Sequence, residues 1–500
     1  MDYQLIALRY LFTVGSGGLL LDPGMGKSKV VLDYIWLMKF KKTIIVCPKA
    51  LLFVWEDEIA IHRPELTYHV IGSMDWEKEL PSVEKADVTI LNYTKAVTLK
   101  NELSKVGYEF IHLDEFLIKD PKTDRTKSLT ELGRRINHRC GGSGTLINNT
   151  VMDVFCPVRY LEPSLVGNNY KNFFDVHAVT VIPKSGENQR AQVVAFKGKD
   201  IARSILDSCC IVMTKDKWLK LPRKNFHDIS VQMKDDQREA YYSLLSNYIT
   251  SVNGTIIEVD NPLVMMSKLY QISNGFVYHT PKEEEEEEIR DLVADDPKKK
   301  RKKTKRTTLF FKENAKIEAL RKVVTETIKG RRAIIWFNME AEYSMIKAML
   351  EEEGQTFITI KGGEKATGGK VRTFNNDPSI SWLVCQAKSV NYGITVLGTN
   401  LEKLEESDYE VFPGISPEVY TQVFFSMNFS LEVYLQQQDR IHRLGQKHEC
   451  DYYRIFCNSP VEKRIRSAIE DKMTLRYDML VDVAESLIRD TKEEKVLEEY

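Results

Sequence analysis

The sequence predicts an α/β fold built as two parallel-sheet domains joined by a more helical region. Three observations carry this expectation. Two stretches of the chain alternate short apolar runs with helical patterns, the signature of parallel β/α units. A glycine-rich turn, DPGMGKSK, follows the first apolar run. A later apolar run closes on paired carboxylates, FIHLDE. In the first stretch the expected strands are GGLLL (17–21), TIIVCP (43–48), VTILNY (88–93) and FIHLDE (110–115). In the second they are AIIWF (333–337), TFITI (356–360), SWLVC (381–385) and QVFFSMNF (422–429). Expected domains are 1–165, a helical middle region 166–280, a charged insertion 281–311, a second domain 312–480 and a helical tail 481–500.

The bulk properties agree with a chain that buries substantial cores. Its 500 residues are 43% hydrophobic and 29% charged, with a formal net charge of −1, so it is not a globally basic nucleic-acid binder; a local basic face is compatible with that sum. No apolar run is long enough to span a bilayer, and the N-terminus lacks a secretory pattern. The eight cysteines contain no CxxC pair, which points to reduced thiols and away from zinc. His112, His138, His442 and His448 are not at ligand spacings and read as structural or surface residues. Trp55 reads as packing, and Met265 and Met266 as core.

The segment PKEEEEEEIRDLVADDPKKKRKKTKR (281–306) sets six consecutive glutamates before eight Lys/Arg residues. Such a segment cannot bury a core. It reads as an exposed insertion, with PKKKRKK also matching a nuclear-import pattern and a DNA-touching arm as a further option.

The turn after GGLLL has the features of a phosphate-binding loop. Gly24 and Gly26, flanking Met25, let the backbone wrap closely with its N–H groups turned inward. Lys27 can reach the β/γ-phosphates, and Ser28 can ligate Mg²⁺. The helix that follows adds a favourable N-terminal field. Strict spacing would place a glycine at position 21, where this chain has Leu21. Asp114 and Glu115 then stand at a strand end, where one carboxylate can hold Mg²⁺ and the next can polarise water. The stretch QQQDRIHRLGQ (436–446) puts Arg440 and Arg443 three residues apart, which on a helix is one face.

Taken together in order, these stretches resemble the Swi/Snf-like ATP-dependent DNA translocases of helicase superfamily two. DYQLIAL resembles the opening motif, in which Gln4 would read adenine, and LLLDPGMGKSK the phosphate-loop motif. TIIVCPKALLFVWEDEI, ILNYTK and IHLDEFLIKDPKT resemble the next three. GGSGTLINNTVMDVFCPVRYLEP, LKLPRK and LYQISNG follow, and then TIKGG, RTFNND and KSVNYGITVLG. RIHRLGQ is close to the family's "DR.HR.GQ" and is the most specific match. The resemblance implies two RecA-like P-loop lobes with ATP and Mg²⁺ bound between them. Gln4, Lys27, Ser28, Asp114 and Glu115 would come from the first lobe, and Gln436, Arg440 and Arg443 from the second. DNA would be held through its phosphates by Lys49, Thr94, Lys119, Asn338, Lys388 and Ser389.

The chain departs from the family pattern at DEFLIK, one residue shorter than DE-[A/S]-[H/Q]-x-[I/L]-K and lacking its relay His or Gln. It also carries Ser143 for Thr, Leu146 for Pro, only Gly393 of the paired glycines, and VMTK (212–215) for "RRTK". The expected function is a DNA-dependent ATPase translocating on duplex DNA and remodelling protein–DNA or branched-DNA structures. A strand-separating or annealing helicase, and a degenerate ATPase acting as a DNA-bound scaffold, are the alternatives. Residue 1 nearly abuts the first motif, as in the bare motors of viruses, phages or bacteria. The expected setting is a bacterial cytoplasm, with the nucleus as the alternative from the Lys/Arg block. The sequence leaves the oligomeric state open, a monomer being compatible with it, and the expected partners are duplex DNA and host or viral replication or transcription proteins, away from membranes.

Overall fold

The computed structural model describes residues 1–144, 151–167, 169–181, 192–260, 262–279, 307–362, 367–389, 396–398, 418–428 and 430–470. It divides into two compact units, Met1–Leu221 and the chain from Pro222 onward. The segment 281–306, most of the stretch 401–421, Leu146, Gly393 and the tail 481–500 lie outside the described residues.

The first unit opens with helix α1 (Asp2–Val14) and strand β1 (Ser16–Leu21), followed by α2 (Lys27–Met38), β2 (Thr43–Cys47) and α3 (Leu52–His62). Next come β3 (Tyr68–Val70), α4 (Trp76–Lys85), β4 (Val88–Asn92), α5 (Tyr93–Thr98), β5 (Phe110–Asp114) and β6 (His138–Gly142). A hairpin of β7 (Ala178–Val181) and β8 (Gln192–Phe196) precedes β9 (Cys210–Met213). The sheet order is β3-β4-β2-β5-β6-β1-β9, and all neighbours are parallel. Parallel strands covered on both faces read as continuous apolar runs, and TIIVC of β2 is buried throughout. Its side chains alternate between two cores. Ile44 and Val46 join Leu91, Ile111 and Leu113 on one face, whereas Ile45 and Cys47 join Ile90, Phe110 and Trp55 on the other.

The second unit begins with β10 (Lys224–Val231) and the hairpin of β11 (Ile249–Val252) and β12 (Thr255–Glu258). Strands β13 (Phe276–His279) and β14 (Thr307–Phe310) pair with each other, on either side of the charged segment. The main sheet adds β15 (Arg332–Phe337), β16 (Phe357–Ile360), β17 (Trp382–Gln386), β18 (Val419–Phe424) and β19 (Cys450–Cys457). Its order is β10-β19-β18-β15-β17-β16, again with parallel neighbours.

The fold class is therefore the expected one, an α/β chain with two parallel sheets flanked by helices. The domain boundaries differ. Residues 166–221 belong to the first unit, because β9 extends its sheet beside β1, and residues from 222 belong to the second, because β10 pairs along β19. The helix Pro262–Ser273, expected in a separate middle region, leads to Asn274, whose side chain accepts a 2.8 Å bond from Lys316. Lys316 is 1% exposed and pairs at 2.7 Å with Glu462, which also accepts the Cys457 N–H at 2.8 Å. This buried pair joins three helices to the sheet of the second unit, and Met265 and Met266 are core there.

Removing one partner of a buried ion pair leaves the other charge uncompensated, whereas an exposed pair contributes little. Lys316→Met is expected to destabilise the second unit by about 3–5 kcal/mol. Arg321→Met, which breaks the exposed Arg321–Glu352 pair at 2.7 Å, should cost no more than about 1 kcal/mol. Urea unfolding of both variants checks this, and equal costs would contradict the structural role of Lys316.

Candidate nucleotide site and nucleic-acid interface

The loop Asp22–Gly26 leaves β1 and enters α2 at Lys27. It is fastened on the side of β9: the Asp22 N–H donates to the Met213 carbonyl at 3.1 Å, and the Asp22 carboxylate accepts from the Lys215 N–H at 2.8 Å. Gly24 and Gly26 have φ of 83° and 76°, the left-handed region where a side chain costs energy. A Cβ on Gly26 would also overlap the Gln4 amide nitrogen. Gln4 donates to the Met25 carbonyl at 3.3 Å and Tyr3 to the same carbonyl at 3.1 Å. The start of α1 thus lies against the loop, and Met25 is buried beneath it. Lys27 Nζ donates to the Leu21 carbonyl at 2.8 Å, which folds the ammonium over the loop. The first turn of α2 carries no acidic residue and no side-chain cap, so its N–H groups and partial positive charge remain suited to an anion. Ser28 lies in that first turn and is half-buried.

Asp114 is the last residue of β5 and is buried. Its Oδ2 accepts from Trp55 Nε1 at 3.0 Å and its Oδ1 from the Glu115 N–H at 3.1 Å. Burial pushes its carboxyl pKa up, opposed chiefly by Lys27 and by the Trp55 bond. His112 lies one strand period earlier, its Nε2 3.9 Å from Asp114 Oδ1. Burial and the charge of Lys27 push the imidazole down to about 3, so it is neutral and adds no net charge beside the carboxylate. Glu115 and Phe116 both have positive φ, 60° and 41°. The shortened DEFLIK turn therefore reverses at once and drives the Phe116 ring into the core, over Gly141 and edge-on to Tyr160.

Trp55 fills a core position and also holds the Asp114 carboxylate, a role that packing logic alone does not assign. Tyr93 is a second residue missed by sequence reasoning. Its buried hydroxyl donates to the Asp114 carbonyl at 2.8 Å and accepts from the Leu117 N–H at 3.3 Å. The W..E spacing of FVWEDEI and the Tyr of ILNYTK were the available signals, but neither shows where the polar atom points.

Loops at the C-terminal ends of parallel strands are where such sheets bind ligands. Lys49 follows β2, Thr94 follows β4 and Lys119 follows β5; all three are exposed. They occupy the same edge of the sheet as Asp22–Gly26 and Asp114. In the second unit, Lys388 follows β17 and is exposed, within the turn Ala387–Ser389. Asn338 follows β15 but differs from expectation. Its amide donates to Ser426 Oγ at 2.8 Å and accepts from Asn428 at 2.9 Å, and its N–H donates to Glu342 at 2.7 Å. That side chain is spent on pinning β15 to the chain after β18 rather than presented outward.

Arg440 and Arg443 also differ from expectation. The helix that precedes them, Leu431–Gln438, ends before either residue. Backbone bonds from Arg440 to Gln437 and from Ile441 to Gln438 tighten the chain into turns, so the pair does not form one helical face. Arg440 is buried, with Nε donating to the Gln436 carbonyl at 2.9 Å and its own carbonyl accepting from Val396 at 3.1 Å. Arg443 is more accessible. His442 Nε2 donates to the Pro222 carbonyl at 2.9 Å, and Gln446 Nε2 to the Val419 carbonyl at 3.1 Å. These anchors hold the arginine loop at the N-terminal ends of β10 and β18, the edge opposite Asn338 and Lys388. A groove of about 940 Å³ in the second unit, beside β10 and the helix Ala315–Lys322, contains none of these residues.

Among the described residues no helix is long and apolar enough to cross a membrane, and no group of three or more His, Cys, Asp or Glu has metal-binding geometry. Comparison with known proteins gives low-identity matches along nearly the whole chain. TATA-binding protein-associated factor mot1 of Schizosaccharomyces pombe is 22% identical over 476 residues, covering 87% of this chain and 23% of that protein. An uncharacterized ATP-dependent helicase of Mycoplasma pneumoniae is 22% identical over 480 residues, covering 93% of this chain and 40% of that protein. The ISWI chromatin-remodeling complex ATPase ISW2 of Saccharomyces cerevisiae is 22% identical over 504 residues, covering 96% and 40%. The chain thus spans between 23% and 40% of the length of these relatives. A solved structure of the Sulfolobus solfataricus SWI2/SNF2 ATPase core in complex with dsDNA is 20% identical, covers 98% of this chain and 95% of that chain, and has a TM-score of 0.40. The model of the SNF2-related domain matches residues 3–276, more than half of the sequence, and the chain belongs to that family.

Proposed function

We propose that the chain is an ATP-hydrolysing motor that moves along duplex DNA and remodels protein–DNA or branched-DNA structures. The observation that carries this reading is the pairing, on one sheet edge, of a left-handed glycine loop capped by Gln4 with Lys27 and the buried Asp114. A second support is the row Lys49, Thr94 and Lys119 on neighbouring loops of that edge. The names of relatives include an ATP-dependent helicase and a chromatin-remodeling ATPase.

The residues fit a magnesium–nucleotide. Gly24 and Gly26 turn the loop backbone through the left-handed region ahead of the uncapped start of α2, and one hydroxyl with one carboxylate, Ser28 and Asp114, is the donor set Mg²⁺ takes when phosphates and waters complete its shell. Bound there, the ion neutralises phosphate charge. Lys27 is drawn from the Leu21 carbonyl to the β/γ-phosphates, Gln4 is placed to read the base, and Glu115 orients the attacking water. Arg443, supported by Arg440 and Gln436, supplies the cation that stabilises charge on the γ-phosphoryl group. Lys49, Thr94, Lys119, Lys388 and Ser389 contact DNA phosphates, so binding is largely independent of sequence.

ATPase rates with no DNA, single strands and duplex, for wild type and Lys27→Ala, test the motor. Wild type should be stimulated by duplex and should lose hydrolysis in EDTA; Lys27→Ala should fall to background. Duplex binding without any Lys27-dependent hydrolysis would sink the motor and leave a DNA-bound scaffold. Triplex displacement without strand separation distinguishes tracking on duplex from unwinding.

Arg443→Ala should bind ATP almost normally and hydrolyse it about 100-fold more slowly or worse, as for arginine fingers generally. Lost nucleotide affinity with unchanged turnover contradicts that role.

If Lys49 and Lys119 meet phosphates, each change to Ala should reduce the slope of log K against log salt by about 0.9 for a duplex. Parallel salt titrations of the variants and wild type read this directly, and an unchanged slope removes the residue from the interface.

A further inference from the structure

Asp114 is held from both faces of its sheet. Trp55 belongs to the core on the face of α2 and α3, and Tyr93 to the core on the other face. Trp55 takes the carboxylate, bonding Oδ2 at 3.0 Å, and Tyr93 takes the backbone, donating to the carbonyl at 2.8 Å. Both side chains are at most 3% exposed, so neither bond is exchanged with water. Each also begins a link to a surface loop. Trp55 is in α3, directly after the loop that carries Lys49, and Tyr93 is bonded in sequence to Thr94. Tyr93 further accepts the Leu117 N–H and so spans the shortened turn after Glu115.

We infer that Trp55 and Tyr93 are positioning residues that fasten Asp114, the first by its carboxylate and the second by its backbone carbonyl, to the loops of Lys49 and Thr94, so that a duplex phosphate seated on those loops alters nucleotide affinity at Asp114. The inference rests on the proposed function for the identity of its two ligands. The physical warrant is rigidity. A buried hydroxyl with its donor and one acceptor position both occupied cannot re-pair without leaving a polar group unsatisfied, and a core indole cannot shift without opening a void. A displacement of either loop is therefore transmitted to Asp114 rather than absorbed.

The test uses Trp55→Phe and Tyr93→Phe, which each keep an aromatic ring and remove one polar group, Trp55→Phe also reducing the volume. Binding of a fluorescent ATP analogue is titrated at fixed Mg²⁺, with and without a short duplex, and Mg²⁺ is titrated at fixed nucleotide; thermal melts monitor folding. The ratio of nucleotide dissociation constants without and with DNA measures coupling, and it is the same whichever ligand is added first. Trp55→Phe should raise the Mg²⁺ concentration for half-saturation about tenfold. Tyr93→Phe should leave that concentration and the affinity for duplex without nucleotide as in wild type while moving the coupling ratio towards one, with the Trp55 link retained. These readings need no hydrolysis, so the two proposals fail separately. Coupling lost in the variants of a wild type that does not hydrolyse ATP supports the inference and rejects the motor. Coupling and Mg²⁺ dependence unchanged in the variants of an active wild type rejects the inference and keeps the motor. A wild type whose coupling ratio is one, or variants whose only change is a lower melting temperature, also overturns the inference.

Discussion

Burying a carboxylate at the end of an apolar strand is the constraint around which the first unit is arranged. An unpaired buried charge is costly, and Asp114 offsets this with the Trp55 indole and the Glu115 N–H while Lys27 supplies nearby positive charge. Each partner imposes a requirement on the chain. Trp55 requires α3 to pack with its indole edge toward β5, which joins it to the core of Ile45, Cys47 and Phe110. Lys27 requires α2 to begin immediately after the glycine loop. His112, kept neutral by the same burial, packs edge-on to Trp55 without adding a competing cation. The carboxylate therefore orders two helices, a loop and a strand.

A consequence is that the candidate site residues lie on one sheet edge in the first unit and divide between two in the second. All strands of the first sheet run the same way, so every loop after a strand opens on a common rim. Strand order places β1 and β5 one strand apart, with β6 between them, and places β2 and β4 on the far side of β5. The loops of Lys49 and Thr94 thus lie beyond Asp114 from the glycine loop. In the second unit the helix Leu431–Gln438 carries the chain back across the sheet. Its following arginines emerge at the N-terminal rim, while Lys388 stays at the C-terminal one. One rigid sheet with loops on both rims lets a single body address two different anions under the proposed function.

How much of this was legible in the sequence follows from what each element buries. The eight expected strands are present because a strand covered on both faces must be apolar along its length, as TIIVC and AIIWF are. Other strands were hidden by their positions. HRCGG forms β6 with glycines where Phe116 and His112 press against the strand, so small residues replace the apolar run. KNFHDISV is the edge strand β10, half-covered, and loses the buried-strand signature. Missing β9 and β10 is what misplaced the domain boundary. At the site, the glycine loop and Asp114 were readable because their chemistry demands particular residues at particular spacings. The bonds of Trp55, Tyr93 and Asn338 were not, because each depends on a tertiary contact between segments far apart in sequence. The helical face assigned to Arg440 and Arg443 failed for a related reason: side-chain spacing carried no record of the tightened turns that end the helix at Gln438.

The shortened turn after Asp114 shows how a deletion is accommodated. Two consecutive non-glycine residues with positive φ cost on the order of 1–2 kcal/mol each. Fully burying a phenylalanine returns about 1.5–3 kcal/mol, and Phe116 is 1% exposed. The balance works only if the ring has a place to go, and that place is the bare face of Gly141. The strain at Glu115–Phe116, the ring of Phe116 and the absence of a side chain at Gly141 are therefore one feature. This turn lacks the relay residue of the motif it resembles, and Tyr93 bonds its backbone from outside, its hydroxyl receiving the Leu117 N–H while donating to the Asp114 carbonyl. The short turn is sustained because Tyr93, directly after β4 and two strands away across β2, holds both of its ends.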